Sequence, residues 1–186
     1  MKLFIKVSLA MGKFKIAENR LELMGVQWPE IYLQLKFVPN LAALSFSILE
    51  HNIYLSFAIH PLIYIYDADF NALGTFGRAG DGMKASYRTT RTFEEAQESQ
   101  SQDLGNQSIY GSVFADGPYV FRIYFPEGME AAYARLQIFE DKVLIGDVKV
   151  APRFNVIGRI GEYYYANGIV DEMAEQIVVF KFKLEK

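Results

Sequence analysis

An all-β fold is predicted for this 186-residue chain on three observations. Apolar and polar residues alternate with period two in one segment after another. Aromatic residues reach 15%, with 15 Phe and 12 Tyr against one Trp. Turn residues separate the segments. Period two sends successive side chains to opposite faces of a strand, and aromatic rings favour a pleated surface over a helix. The length allows one domain with a sizeable core. Residues 1–186 are read as that single domain, with truncation of a longer repeat protein as the accompanying expectation.

Composition also narrows function. A net charge of −3 gives no electrostatic case for nucleic acid or an anionic membrane. No apolar run reaches the roughly 18 residues of a transmembrane helix. The absence of cysteine excludes disulfides, thiolate catalysis and Cys-ligated metals. It leaves the compartment open.

The elements follow in order. Residues 1–12 carry an early lysine and a small-residue step at Ser8 and Ala10, as a signal peptide does, but Lys6 cuts the apolar stretch short. Leu3, Ile5 and Val7 alternating with Lys2, Phe4 and Lys6 read instead as a half-buried strand. Ile31, Leu33, Leu35 and Phe37 share a second strand face, and Leu44, Phe46 and Ile48 a third. Residues 53–59 form another strand, bracketed by His51 and His60, the only histidines. Residues 62–66 and 72–76 pair as a hairpin across the polar turn 67–71, and a glycine-rich exit follows over 77–82.

Residues 84–107 break the pattern. They are polar, and Thr92 and Glu95 have the spacing of a capping box ahead of a helix-forming run over 94–102. The stretch 77–107 is read as an insertion carrying one short surface helix. Alternation then resumes at Phe121, Ile123 and Phe125, and ends with Val178, Phe180, Phe182 and Leu184.

A repeat links these pieces. Ile65-Tyr66-Asp67 is echoed by Ile138-Phe139-Glu140 and again by Val179-Phe180-Lys181. Ile65 and Ile138 are 73 positions apart, or 42 once the 31-residue stretch 77–107 is set aside, and Val179 follows Ile138 by 41. A period near 40–45 residues is that of a four-stranded propeller blade. The expected architecture is therefore a partial β-propeller of three to four antiparallel four-stranded blades with one short helical insertion.

The residues of 62–82, the run LQIFEDKVLIGDVKV over 136–150, and 154–186 with Tyr163-Tyr164-Tyr165-Ala166-Asn167 together resemble a known family. It is the six-bladed β-propeller family of Bacteroides-type bacteria, of the NHL/TolB-like kind, whose function is largely unassigned. The likeness is to the C-terminal portion of such a propeller, and the polar insertion before Ser108 sits where the family carries one. The resemblance implies a bacterial periplasmic or envelope location and no particular activity. A six-bladed ring needs roughly 250 residues or more. An open half-ring exposes a blade edge and invites self-association; a missing N-terminal half is the other way out.

Each candidate site competes with an ordinary structural explanation. Asp67, Asp69 and Asn71 have the one-three-five spacing of calcium ligands, but Ala72 and Arg78 stand where an EF-hand needs Gly and Glu. Turn geometry explains the same residues, and no metal or other cofactor is expected. The glycines of 77–82 lack the following helix and Lys-Ser/Thr step of a phosphate cradle. They are read as a crossing between repeats. His51 and His60, at opposite ends of one strand, lie about 30 Å apart at roughly 3.3 Å per residue and share no metal. Arg122 lies in an apolar strand, where a fixed guanidinium facing a channel would recognise a carboxylate or sulfate, or would pair locally. Tyr163, Tyr164 and Tyr165 are candidates for a glycan-stacking ledge, against packing between sheets.

Two functions are carried forward. The leading one is a noncatalytic propeller module binding a protein partner, a glycan or another small ligand. The alternative is a propeller hydrolase or lyase acting on a sugar or lactone, with catalytic residues partly outside this chain. A fragment without independent function is the third and dullest reading.

Overall fold

The structure, a computed structural model, describes residues 9–35, 38–171 and 176–185. The strand expected over residues 3–7 lies outside these, as do Lys36 and Phe37. The described residues form an all-β fold of four antiparallel sheets with few helices. The first sheet is a hairpin of β1 (Met11–Lys15) and β2 (Arg20–Gly25).

Three meanders follow. Sheet I contains β3 (Leu44–Leu49), β4 (Asn52–Phe57), β5 (Ile63–Tyr66) and β6 (Ala72–Phe76), in that spatial order. Sheet II contains β7 (Ile109–Asp116), β8 (Tyr119–Phe125), β9 (Ala134–Glu140) and β10 (Val143–Val150), again in order. Sheet III has three strands, β11 (Asn155–Ile160), β12 (Tyr163–Asp171) and β13 (Gln176–Phe182). The three sequence echoes fall on equivalent strands. Ile65 is in β5, Ile138 in β9 and Val179 in β13, each the third strand of its meander.

The first strands of the meanders lie next to one another. The Val113 and Ala115 amides of β7 donate to the hydroxyls of Ser45 and Ser47 on β3, both at 3.0 Å. On the other side, the Ser112 hydroxyl of β7 donates to Asn155 Oδ1 of β11 at 2.7 Å. Serines at alternate positions of β3 thus satisfy the edge of its neighbour, which unpaired backbone groups require.

The sheets pack face to face. Ile63, Ile65 and Phe76 of sheet I meet Val113, Ala115, Val120 and Phe139 of sheet II. Phe121 and Leu136 on the opposite face of sheet II meet Val156 and Tyr164 of sheet III. Residues between β2 and β3 cover the outer face of sheet I, where Tyr32 and Leu41 pack with Leu55 and Phe57.

Among the described residues, two α-helices punctuate the strands. α1 (Glu30–Gln34) replaces the strand expected from Ile31, Leu33 and Leu35. Its single turn buries Tyr32 completely, and the Tyr32 hydroxyl donates to the Leu41 carbonyl at 3.1 Å. A short apolar run does not distinguish helix from strand by periodicity, and here the tertiary contact decides. α2 (Phe93–Asn106) is longer than the two turns expected, at 14 residues. Thr92 caps it by accepting from the Glu95 amide at 3.2 Å, while Glu95 accepts from the Arg91 amide at 2.9 Å. Its inner side is fastened by Asp103, which accepts from Asn40 Nδ2 and Gln107 Nε2, each at 2.8 Å, and from the Ser99 hydroxyl at 2.9 Å.

Candidate functional site

The face of sheet II that looks toward sheet I is divided along its strands. One half is apolar and forms the packing with sheet I. The other half carries Tyr110, Arg122, Tyr124, Arg135, Gln137 and Asp147, brought together by register. Tyr110 pairs with Tyr124, Tyr124 with Arg135, Arg122 with Gln137, and Gln137 with Asp147. The glycine-rich exit over residues 77–82 lies across this polar half.

Arg122 is fully buried at the centre. Its Nε and Nη2 donate to Gln137 Oε1 at 3.1 and 2.6 Å. Nη2 also donates to the carbonyls of Pro61 at 2.9 Å and Arg78 at 3.0 Å. Among the described residues Nη1 has no hydrogen-bond partner, and the guanidinium carbon lies 4.1 Å from the Tyr110 ring centroid. A cation over an aromatic face recovers part of the lost hydration. Burial pushes the Arg122 pKa down to about 10, against the opposing influence of Tyr110, Tyr124 and Asp147.

Beside it, the Tyr124 hydroxyl donates to Asp147 Oδ1 at 2.7 Å. Arg135 Nε donates to that carboxylate at 2.9 Å and to the Tyr124 oxygen at 2.8 Å. Burial and the Asp147 carboxylate raise the Tyr124 pKa. The loop seals the cluster because Gly80 lies flat on Tyr124; a Cβ there would come within 2.4 Å of the ring. Its amide donates to the Tyr110 hydroxyl at 3.2 Å. The crossing expected from the glycines is thus held by side chains of sheet II.

Two clefts open nearby. One of about 200 Å³ lies where β3 and β7 begin, beneath α2, lined by Leu41, Leu44, Ala58, Leu104, Tyr110 and Phe125 among others. Ile109 and Phe125, paired across β7 and β8, line this cleft from the face of sheet II opposite to Arg122. The second, about 340 Å³, lies between β1 and the outer face of sheet I and includes Phe46, Ile48, His51, Ile53 and Phe70.

The other sequence candidates are placed as follows. Asp67 spans its turn, with Oδ1 accepting from the Asp69 and Asn71 amides at 2.9 and 2.8 Å and Oδ2 from Asn71 Nδ2 at 2.8 Å. These bonds hold its carboxyl below the ordinary range. Asp69 lies 3.5 Å from Lys13 Nζ. The calcium-like spacing is occupied by a side-chain turn. His60 Nδ1 is 3.1 Å from the Tyr64 hydroxyl, and His51 sits in the β3–β4 turn.

The three tyrosines of β12 are divided by strand alternation. Tyr164 is buried, 4.7 Å from Phe121 between ring centroids, and its hydroxyl donates to Asp116 Oδ2 at 3.1 Å. Tyr163 carries Lys181 Nζ at 3.8 Å over its ring on the opposite face. Tyr163 and Tyr165 share that face, and no three-ring ledge forms.

Reading residue types singled out Arg122 but missed Tyr110, Tyr124, Arg135, Gln137 and Asp147. The signal that could have found them is polar residues at every second position of otherwise apolar strands, as at Arg135 and Gln137.

No family model and no curated protein matches the chain. A solved structure does, a Bacteroides vulgatus protein described as a member of the DUF4221 family. The TM-score is 0.67 at 10% identity, over 93% of this chain and 55% of that one. At that identity the likeness is one of fold: this chain shares the all-β, several-sheet architecture of the Bacteroides protein and spans about half its length.

Proposed function

We propose that sheets I–III are consecutive blades of a β-propeller, and that the chain is a noncatalytic module binding a small apolar or aromatic group in the cleft beneath α2. The observation that carries this reading is the side-by-side placement of β3, β7 and β11, each the first strand of its own meander. In a propeller such strands surround the axis, and ligands gather at the ends of the channel. The cleft sits where two of these strands begin. Its volume of about 200 Å³ suits a single ring or short chain, since a cavity of roughly 150 Å³ admits benzene. Phe125 is the aromatic residue of the lining, beside Ile109, Leu41, Leu44 and Leu104.

A thermal-shift screen of small aromatic and aliphatic compounds, with soluble glycans in parallel, tests the reading. A ligand at about a hundred times its dissociation constant stabilises by roughly 2.7 kcal/mol, a rise of about 5–10 °C at this chain length. Ala43 lines the cleft and is exposed. The expected result is a ligand-dependent rise that Ala43→Trp abolishes while leaving the ligand-free melting temperature close to that of the original protein. A screen without hits, or a shift that survives Ala43→Trp, would overturn the proposal.

A further inference from the structure

α2 is attached to the molecule differently from the strands around it. The residues it buries, Ala96, Ser99, Asp103 and Gly105, are small or polar, while Leu104 is partly buried and Phe93 about half exposed. Most helices in proteins owe their stability to a packed apolar face. A segment with little buried apolar surface opens at a free energy well below that of global unfolding.

The polar contacts of α2 converge on Asn40. Its Nδ2 donates to the Ala96 carbonyl at 2.7 Å and to Asp103 Oδ2 at 2.8 Å, and the Ser99 hydroxyl donates to the same carboxylate oxygen at 2.9 Å. Near the other end, the Leu104 carbonyl accepts from the Met129 amide at 2.9 Å. The base of the segment is narrow. Tyr87 packs against the core, the Arg88 amide donates to Gln107 Oε1 at 2.9 Å, and the chain returns to the body at the buried Ser108. Residues 88–107 therefore leave and rejoin the body at neighbouring points, and they can swing without disturbing a strand. Asn40, Leu104 and Met129 all line the cleft beneath α2, so the residues that fasten the helix also roof the cleft.

We infer that residues 88–107 are a lid on this cleft, opening as one unit about the base at Arg88 and Gln107, with Asn40 as the latch. Opening lifts Leu104 away and uncovers Ala58 and Ile109 on the cleft floor. A molecule larger than the resting volume of about 200 Å³ enters only through this motion. That use of the lid rests on the ligand reading, whereas the motion itself does not. A ligand screen without hits would leave the motion standing, and a lid that stays shut would leave the screen to be judged by itself.

The chain has no cysteine, so one introduced thiol reports the motion. Ala58→Cys places it on the cleft floor, and Ala115→Cys places it between sheets I and II; both alanines are 5% exposed. The rate of reaction with dithionitrobenzoate under native conditions is the readout. Ala58→Cys should react about a hundredfold faster than Ala115→Cys, because lid opening is cheaper than unfolding. Asn40→Ala should speed the reaction of Ala58→Cys about tenfold, since it removes a hydrogen bond to a buried carboxylate. Ser99→Ala, which changes no lining residue, should do the same by a smaller factor and serves if Asn40→Ala does not fold. Val156→Ala, between sheets II and III, destabilises the body with the lid open or shut, and should speed the reaction of Ala115→Cys alone. Equal acceleration of both thiols by Val156→Ala would overturn the inference, because the cleft floor would then be reached by global unfolding. So would reaction of Ala58→Cys at the rate of an unfolded-chain thiol, or latch substitutions without effect on that rate.

Discussion

Sheets II and III are built from the same meander and meet water differently. The central strand β8 of sheet II is buried from Val120 to Phe125, with sheet I on one side and sheet III on the other. Among the described residues, sheet III is covered on one face only. Tyr164, Val156 and Phe182 point into the interface, while Ile157, Ile160, Ile177 and Val179 remain more than half exposed. The comparison shows what a second covered face permits. A sheet enclosed on both sides can hold a cation such as Arg122, because carbonyls from Pro61 and Arg78 reach it from outside the sheet. A sheet with one wet face keeps its cation, Lys181, at the surface over Tyr163.

Substitutions should break this contrast in a graded way. Phe121→Ala removes the ring that joins the two sheets, and the cost should be about 3–5 kcal/mol, as for other buried phenylalanines. Denaturant unfolding measures it, and a loss below about 1 kcal/mol would show that the sheets are only loosely joined.

Arg122→Met should come next. It deprives Gln137 Oε1 and two carbonyls of their donor, for an expected loss of about 2–4 kcal/mol. Part of that is offset because an expensive buried charge also disappears. A neutral or stabilising result would mean that desolvation of the guanidinium outweighs its hydrogen bonds.

Alkaline pH should separate the buried polar half from the rest more gently. Burial raises the pKa of Tyr110 and Tyr124 in sheet II, and pushes Tyr64 and Tyr87 up to about 12. A raised tyrosine pKa contributes stability that is complete below pH 10 and lost as pH climbs through the folded value. Arg122 has the opposite sign: its depressed pKa means that its burial cost is relieved above about pH 10. Several tyrosines against one arginine predict a net loss of stability between about pH 10 and 12. Unfolding midpoints at pH 8 and pH 11, beside tyrosinate absorbance, would check it; an increase would mean that the arginine dominates.

Ile160→Thr should do least. This residue on the bare face of sheet III is 72% exposed, and the change should stay within about 0.5 kcal/mol. A larger loss would show that the face is covered in solution.

The candidate site was less legible in the sequence than the fold. Arg122 was visible because a charge in an apolar strand is conspicuous. Its partners were not, because Gln137, Arg78 and Pro61 lie 15, 44 and 61 positions away. Tyr163, Tyr164 and Tyr165 looked like a group only while their alternation was ignored. Ile31, Leu33 and Leu35 have the period two of a strand over a run too short for periodicity to distinguish it from a helix, and the contact that favours the helix is made by Tyr32.

What the sequence determined by itself was local. Period-two alternation set the strands of sheets I to III, Asp67 and Asn71 set their turn, Thr92 set the start of α2, and the repeat set which strands are equivalent. The first three depend on residues within a few positions of one another, where backbone geometry and short hydrogen bonds suffice, and the repeat compares such local patterns along the chain. The tertiary structure alone decided which faces of the described sheets are covered and where the Arg122 charge is buried. Those outcomes depend on which distant surface arrives to exclude water, and period-two alternation is the same whether the second face meets another sheet or solvent.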